Sequence, residues 1–220
     1  MSKYFLIILL SGLLFGSACS IIEQTPPPIP YQLGEILIVD RFTEGINWDT
    51  RSRDGASVGA QNGYYRIESA YSTYVRGFNN QAHENVVIEV DITYDMVATN
   101  NAFGVICRGA SNDYNSNGYY FLIGADGSYA IGIGRGGDVD ELIGWRRSSV
   151  INRGVANNTI CAVCIDDYLA LYVNDEFITS VRDDRYQRGF AGLTATTRQG
   201  VPIVVDFDNI IIWEAEFPEE

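Results

Sequence analysis

The sequence predicts an all-β protein, an antiparallel sandwich of two stacked sheets. Three observations carry that expectation. Apolar and polar residues alternate with period two in segment after segment. No stretch of a dozen residues shows the 3.6-residue apolar period of a helix laid on a core. Turn signals recur at intervals of about 8 to 12 residues, the spacing of a sandwich rather than of βα units.

Taken from the N-terminus, the chain opens with MSKYFLIILLSGLLFGSAC: one positive charge at Lys3, an apolar run from Tyr4 to Leu14, then Gly16, Ser17 and Ala18 before Cys19. That order is a secretory signal. A spanning helix needs about 20 apolar residues to cross roughly 30 Å of hydrocarbon, and this run is shorter and gives way to Ser, Glu, Gln and proline. A cysteine directly after small residues resembles the bacterial lipoprotein signal, which implies that the Cys19 thiol carries a diacylglycerol and becomes the first mature residue. Gly16 departs from the aliphatic residue usual there, with Leu14 and Phe15 just upstream; the alternative is ordinary cleavage near Ala18. Residues 1–19 are thus signal and lipidation site, and 20–33 a tether. Within the tether TPPPIP, residues 25–30, lacks donors and has φ locked by proline, so it is an extended spacer. A single domain is expected over 34–216, followed by an acidic tail at 217–220.

Within the domain, VVIEVDIT (86–93) sets Ile88, Val90 and Ile92 against Glu89, Asp91 and Thr93, and AFGVICR (102–108) alternates Phe103, Val105 and Cys107. YYFLIGADGSYAIGIG (119–134) is two strands around the Asp126-Gly127 turn signal. YLALYVNDEFITSV (168–181) repeats the design around Asn174-Asp175, and PIVVDFDNIIIW (202–213) is a last strand with a kink or bulge between Asp206 and Asn209. GIGRGG (132–137) fits a dinucleotide fingerprint in letters only. Asp138, Val139, Asp140 and Glu141 follow it with no helix and with charge hostile to pyrophosphate, so a hairpin loop is expected there.

Composition narrows the partners. About 185 residues after the tether suffice for one core and not for two. Losing Lys3 with the signal leaves 14 basic against 28 acidic side chains, a balance of −14. Such a chain repels phosphate backbones and anionic head groups, which excludes nucleic acid and leaves the lipid anchor as its only hold on a membrane. The expected location is the cell envelope, outside the cytoplasm. Three further cysteines fall in that disulfide-permissive compartment. In ICAVCI, strand alternation puts Cys161 and Cys164 on opposite faces, so they cannot share a metal. Two arrangements stand: a bridge between Cys107 and Cys164 with Cys161 free, or a buried unpaired trio.

FGVICRG, then GYYFLIGADGSYAIG, a segment with Trp145, NNTICAVCIDDYLALYVND, GFAGLTA and FDNIII together resemble the concanavalin A-like lectin/glucanase jelly roll. More narrowly they resemble laminin-G-like modules and the 3-keto-disaccharide hydrolase (DUF1080) domain, over roughly residues 37–214. Asn174-Asp175 stands where such domains usually carry Asn-Gly; Asp also tolerates the left-handed conformation. The resemblance implies a jelly-roll sandwich and brings two questions of chemistry. In retaining glucanases of this fold a strand bearing E-x-D-x-x-E or E-x-D-x-E supplies nucleophile, helper and acid/base. Here Glu89 and Asp91 share a face, about 6.6 Å apart at the backbone, near the roughly 5 to 5.5 Å of a retaining pair, but Thr93 takes the next place and Asp95 lies past reach. Glu89 and Asp91 are therefore the only catalytic candidates, against the ordinary reading of acids on the wet face of a strand. The resemblance also implies a structural calcium where the end strands meet, with Asp206 and Asp208 as ligands; DVDE (138–141) supplies too few oxygens alone. No other cofactor is expected.

His83, in NNQAHEN, is the only histidine and is expected to be solvated; no serine sits in G-x-S-x-G context, so a hydrolase triad has no support. What remains is recognition. The chain has 14 Tyr and 3 Trp, and sugars stack their C–H faces on such rings beside planar hydrogen-bonding groups. The expected ligand-binding residues are Trp145, its neighbour Arg146 in the basic spot IGWRRSS, Arg108 at a strand end, and Tyr114 and Tyr119 around the loop NDYNSNGYY, with Tyr119 alternatively core. The expected function is a non-catalytic, lipid-anchored domain binding carbohydrate or cell-envelope glycan. The alternatives are glycoside cleavage of the 3-keto-disaccharide type and a structural or protein-binding surface module.

Overall fold

The computed structural model describes residues 27–110, 117–197 and 201–219, and among them there is no helix. Two antiparallel sheets stack on each other. One has nine strands in the order β13 (Glu176–Arg182), β12 (Tyr168–Val173), β11 (Ala156–Ile165), β6 (Val86–Tyr94), β15 (Ile203–Glu216), β4 (Tyr64–Ser69), β3 (Ala56–Gln61) and β2 (Arg51–Arg53), with β1 (Gln32–Asp40) also pairing β15. The other has six: β10 (Asp138–Arg147), β9 (Ser128–Arg135), β8 (Gly118–Ile123), β7 (Asn101–Gly109), β14 (Gly189–Thr197) and β5 (Val75–His83). The chain crosses between sheets after β4, β5, β6, β10, β13 and β14, so strands distant in sequence become neighbours.

The alternation read from the sequence decides which side chains meet. Ile88, Val90 and Ile92 of β6 point inward against Phe103 and Val105 of β7, Phe121 of β8 and Ile131 of β9, all buried. Each such side chain stabilises the sandwich by about 1.5 to 3 kcal/mol through its removal from water. Cys107 of β7 and Cys164 of β11 meet in this core and form a disulfide that ties one sheet to the other, with their Cα atoms 6.8 Å apart. Cys161, three residues earlier on β11, faces outward and is free.

Turn chemistry is as local as the pattern implies. Asn174 and Asp175 both take positive φ, 50° and 68°, as a tight two-residue hairpin between β12 and β13 requires. β15 shifts register between Asp208 and Ile211 around Asn209, whose φ is 51°; this bulge lets one long strand pair first with β4 and then with β1. The glycine-rich 132–137 segment is the end of β9 and the turn into β10.

The sheet reaches further than the expected domain boundaries. β1 starts at Gln32, and residues assigned to the tether pack on the outer face of the nine-stranded sheet. The Ile29 amide donates to the Tyr168 hydroxyl at 3.1 Å, and Tyr31 lies edge-on to Tyr172. Phe217 of the acidic tail packs against Tyr168 on that same face. His83 is not a solvated loop residue: it ends β5 and is buried, with Nε2 unpartnered. Burial and the nearby Arg188 hold its pKa below the usual histidine value, so it is neutral.

Candidate functional site

The outer face of the six-stranded sheet mixes small residues with a few large ones. Strand register lines up Phe78, Gly192, Ile106, Tyr120 and Gly132 in one row, and Arg76, Thr194, Gly104, Leu122 and Ala130 in the next. With so little side chain on the floor, the few large groups stand out and pack together: Phe78, Ile106, Tyr120 and Leu122 form a cluster capped by Tyr74, Val139, Trp145 and Phe190. Gly132 makes this packing feasible, since a Cβ there would meet Val139 at 2.8 Å.

Beside this cluster opens a cleft of about 500 Å³. Its walls are β2 and β3 (Arg51, Arg53, Ser57), the segment 71–76 leading into β5 (Tyr71, Tyr74, Arg76), and the start of β10 (Gly137, Asp138, Val139). Its polar groups are held in place. Arg76 donates to the Tyr120 hydroxyl at 3.2 Å, and the Tyr120 ring lies 5.5 Å from that of Tyr74. Arg51 donates to the Arg76 carbonyl and pairs with Asp49 at 3.5 Å. Asp49 in turn accepts the Phe78 amide, and the Asp49 carbonyl accepts the Tyr65 hydroxyl. Burial raises the pKa of Tyr120 despite the opposing effect of Arg76, so its hydroxyl stays a neutral donor and acceptor. The cleft thus offers aromatic surface, guanidinium forks and hydroxyls side by side, which is the equipment for a ligand that is apolar on its faces and hydroxylated at its rim.

The residues expected from the sequence to bind ligand do not assemble there. Trp145 is half-buried in the outer-face cluster beside Val139, and Arg146 is exposed further along β10. Arg108 and Tyr119 do come close, as neighbouring strands place them, but both are buried and serve the fold. Arg108 sits at the end of β7 with a φ of 52° and donates to the carbonyls of Glu84, Asp166 and Tyr186 at 2.7 to 2.9 Å and to the Asn85 side chain at 2.9 Å, clamping three loops. Tyr119 points into the core; its hydroxyl donates to Asp183 at 2.7 Å and accepts the Tyr186 amide. The reason is geometric: β7 and β8 lie in the middle of the sheet, where both faces are covered. Tyr114 lies outside the described residues, as does Cys19.

Glu89 and Asp91 face outward from β6, a strand of the nine-stranded sheet that contributes no residue to the cleft lining. Burial, then Asp175 and Asp91, push the Glu89 carboxyl up. Asp91 accepts Thr159 Oγ1 at 2.6 Å and Asn209 Nδ2 at 3.0 Å, and it sits opposite Asp208 on β15. These groups line a polar hollow of about 410 Å³ with Tyr64, Thr93 and Asn157. The calcium expected at Asp206 and Asp208 does not fit the donor set. Both Asp206 oxygens accept from Arg66, at 2.6 and 2.5 Å, so its charge is already matched by a guanidinium. Among the described residues no three His, Cys, Asp or Glu side chains group as a metal site.

Arg51, Arg53, Tyr74 and Arg76 escape the sequence reading because they come from an edge strand and a connecting segment whose alternation is interrupted. The available signal is RSR, two arginines on one strand face in an acidic chain, the same kind of basic spot that drew notice to Arg146.

Two antiparallel sheets, with a cleft beside the outer face of the smaller one, define a concanavalin A-like jelly-roll sandwich. Solved structures of that fold superpose on most of the chain. A carbohydrate-binding module, CBM66, from Bacillus subtilis aligns at 14% identity over 79% of this chain and 97% of its own, with a TM-score of 0.61. A Bacillus subtilis protein of unknown function with a galectin-like fold aligns at 9% identity over 86% and 100%, with a TM-score of 0.64. A Bacillus licheniformis β-glucanase aligns at 9% identity over 83% and 99%, with a TM-score of 0.59. Identities this low establish the shared fold. No family model matches the chain, and no curated protein matches it in sequence.

Proposed function

We propose that this chain is a lipid-anchored, extracytoplasmic carbohydrate-binding module that holds a glycan in the cleft beside its six-stranded sheet without cleaving it. The observation that carries the reading is the composition of that cleft. Tyr71 and Tyr74 stand beside ordered arginines and hydroxyls, and Asp138 is the one carboxylate among the described lining residues. Glycoside cleavage ordinarily requires two carboxylates flanking the bond. The pair best spaced for it in sequence, Glu89 and Asp91, lies on β6 outside the cleft lining, and Asp91 is engaged by Thr159 and Asn209. The carbohydrate-binding module and the β-glucanase that share the fold support a sugar ligand in general, and the cleft favours binding over hydrolysis.

The anchor fits the same picture. Ile29 and Tyr31 lie on the outer face of the nine-stranded sheet, on the far side from the cleft, so a chain tethered through Cys19 would present its binding face away from the membrane. The test is affinity electrophoresis of the protein and of Tyr74→Ala through gels containing polysaccharides. The expected result is retardation by at least one polymer, weakened about tenfold in the variant, equivalent to about 1.4 kcal/mol, with the folded state retained by circular dichroism. Release of reducing ends from the retained polymer would refute the non-catalytic reading. Equal retardation of the variant would remove the cleft from the site.

A further inference from the structure

We infer that the outer face of β1 rests on the lipid surface, so that the folded domain meets the membrane with an apolar stripe of its own. The inference rests on the lipid-anchored reading above and adds the surface by which the domain touches lipid. Strand register defines the stripe. On β15, Ile210 and Ile212 belong to the core between the sheets, whereas Trp213 and Ala215 belong to the outer cluster. Ile211, set between two inward neighbours, points outward with them. Residues directly opposite each other in an antiparallel pair share a face. Val39 lies opposite Ile211, Ile36 opposite Trp213 and Leu33 opposite Ala215. β1 therefore lays Leu33, Ile36 and Val39 along the outer face, where they are 51%, 59% and 59% exposed. One exposed apolar side chain is ordinary; three in register on an edge strand form a patch that a protein either covers or uses.

The tether leaves from this same face. Ile29 and Tyr31 pack into the outer cluster with Trp213, and Gln32 then opens β1. Cys19 precedes Pro27, the first described residue, by eight residues, a span of at most about 28 Å when extended, so an acylated Cys19 keeps this face within reach of the bilayer. Pairing with a second copy is discouraged by the edge itself. β1 shifts register against β15 between Leu33 and Ile36 and again between Ile36 and Ile38, and such irregularities break the flat row of donors and acceptors that a further strand needs. Charge selects the kind of lipid contact. Neither β1 nor β15 carries Lys or Arg, while Glu35, Glu214 and Glu216 are exposed. The contact is thus apolar insertion at the boundary of head groups and acyl chains, with no pull from anionic lipid. Alone the stripe is too small to hold the chain on a membrane; it orients a domain that the acyl chains hold.

The test places the acylated full-length protein in phosphatidylcholine vesicles with a nitrobenzoxadiazole fluorophore attached through Val39→Cys. Val155→Cys, exposed beside the end of β6 that lies away from Trp213, is the control. The inference predicts blue-shifted emission from the label at position 39, lost when the lipid is brominated near the top of its acyl chains, and water-like, unquenched emission at position 155. Adding phosphatidylglycerol does not deepen the quenching. Leu33→Gln and Ile36→Gln together return the label at position 39 to water-like emission; should that variant fail to fold by circular dichroism, the comparison of positions 39 and 155 decides. Protein that pellets with the vesicles while position 39 emits as in water overturns the inference and leaves the anchor standing. A blue shift that brominated lipid does not quench assigns the face to a second copy or another protein and overturns it equally. Purified chain that carries no acyl group and stays in the supernatant overturns the anchor and the inference together.

Discussion

Replacing Cys107 and Cys164 together by alanine removes the one covalent tie between the two sheets among the described residues. The two cysteines are 57 residues apart in sequence, so the bond closes a long loop in the unfolded chain. On the chain-entropy model a loop of that length contributes about 4 kcal/mol at 25 °C, and alanine substitutions avoid leaving a buried polar group behind. For a domain of this size about 1 kcal/mol corresponds to roughly 2 to 4 °C in Tm, so the double variant should melt on the order of 10 °C lower. Urea unfolding followed by tryptophan fluorescence gives the free energy directly, and the wild type under reducing conditions should approach the variant. A loss below about 1 kcal/mol, or a wild type indifferent to reductant, would refute the view that this bond restrains the unfolded chain.

Three other outcomes are expected. Arg108→Ala should cost about 3 kcal/mol or more, because it strands three loop carbonyls and the Asn85 side chain; circular dichroism melts measure it, and a near-neutral result would return Arg108 to the list of surface groups. The Cys161 thiol, pushed up to about 12 by burial and by Glu89, should resist iodoacetamide at pH 8 in the native protein and react fully in urea; rapid native alkylation would contradict its packing under Tyr31. Cys19→Ser should move the protein from the membrane to the soluble fraction, and retention in the membrane would contradict lipidation.

The strands legible in the sequence are those buried on at least one face along their whole length. β6, β7, β8, β9, β12, β13 and β15 announce themselves because each inward position is apolar, and the bulge at Asp206 to Asn209 because polar residues interrupt that rhythm. β2, β3 and β5 do not. RSR and VRGFNNQAH are edge strands and ASVGAQ lies beside one; β5 finds its partner β14 far away in sequence, and the glycines, asparagines and serines of these segments look like loop. The cleft arginines come from just these segments and Tyr74 from the connection before β5, which is why they stay hidden in the sequence while Arg108 and Tyr119 look available. A residue at a strand end reads as exposed until the register shows that its strand is central and its loops fold back over it.

Hydrogen–deuterium exchange with and without saturating polysaccharide tests the assignment of the binding face most directly. The account predicts slowed exchange in residues 51–58, 71–76 and 137–139, with no change in β6, β11 and β12. Protection centred instead on residues 89–93 and 157–159, around the polar hollow at Asp91, would contradict it.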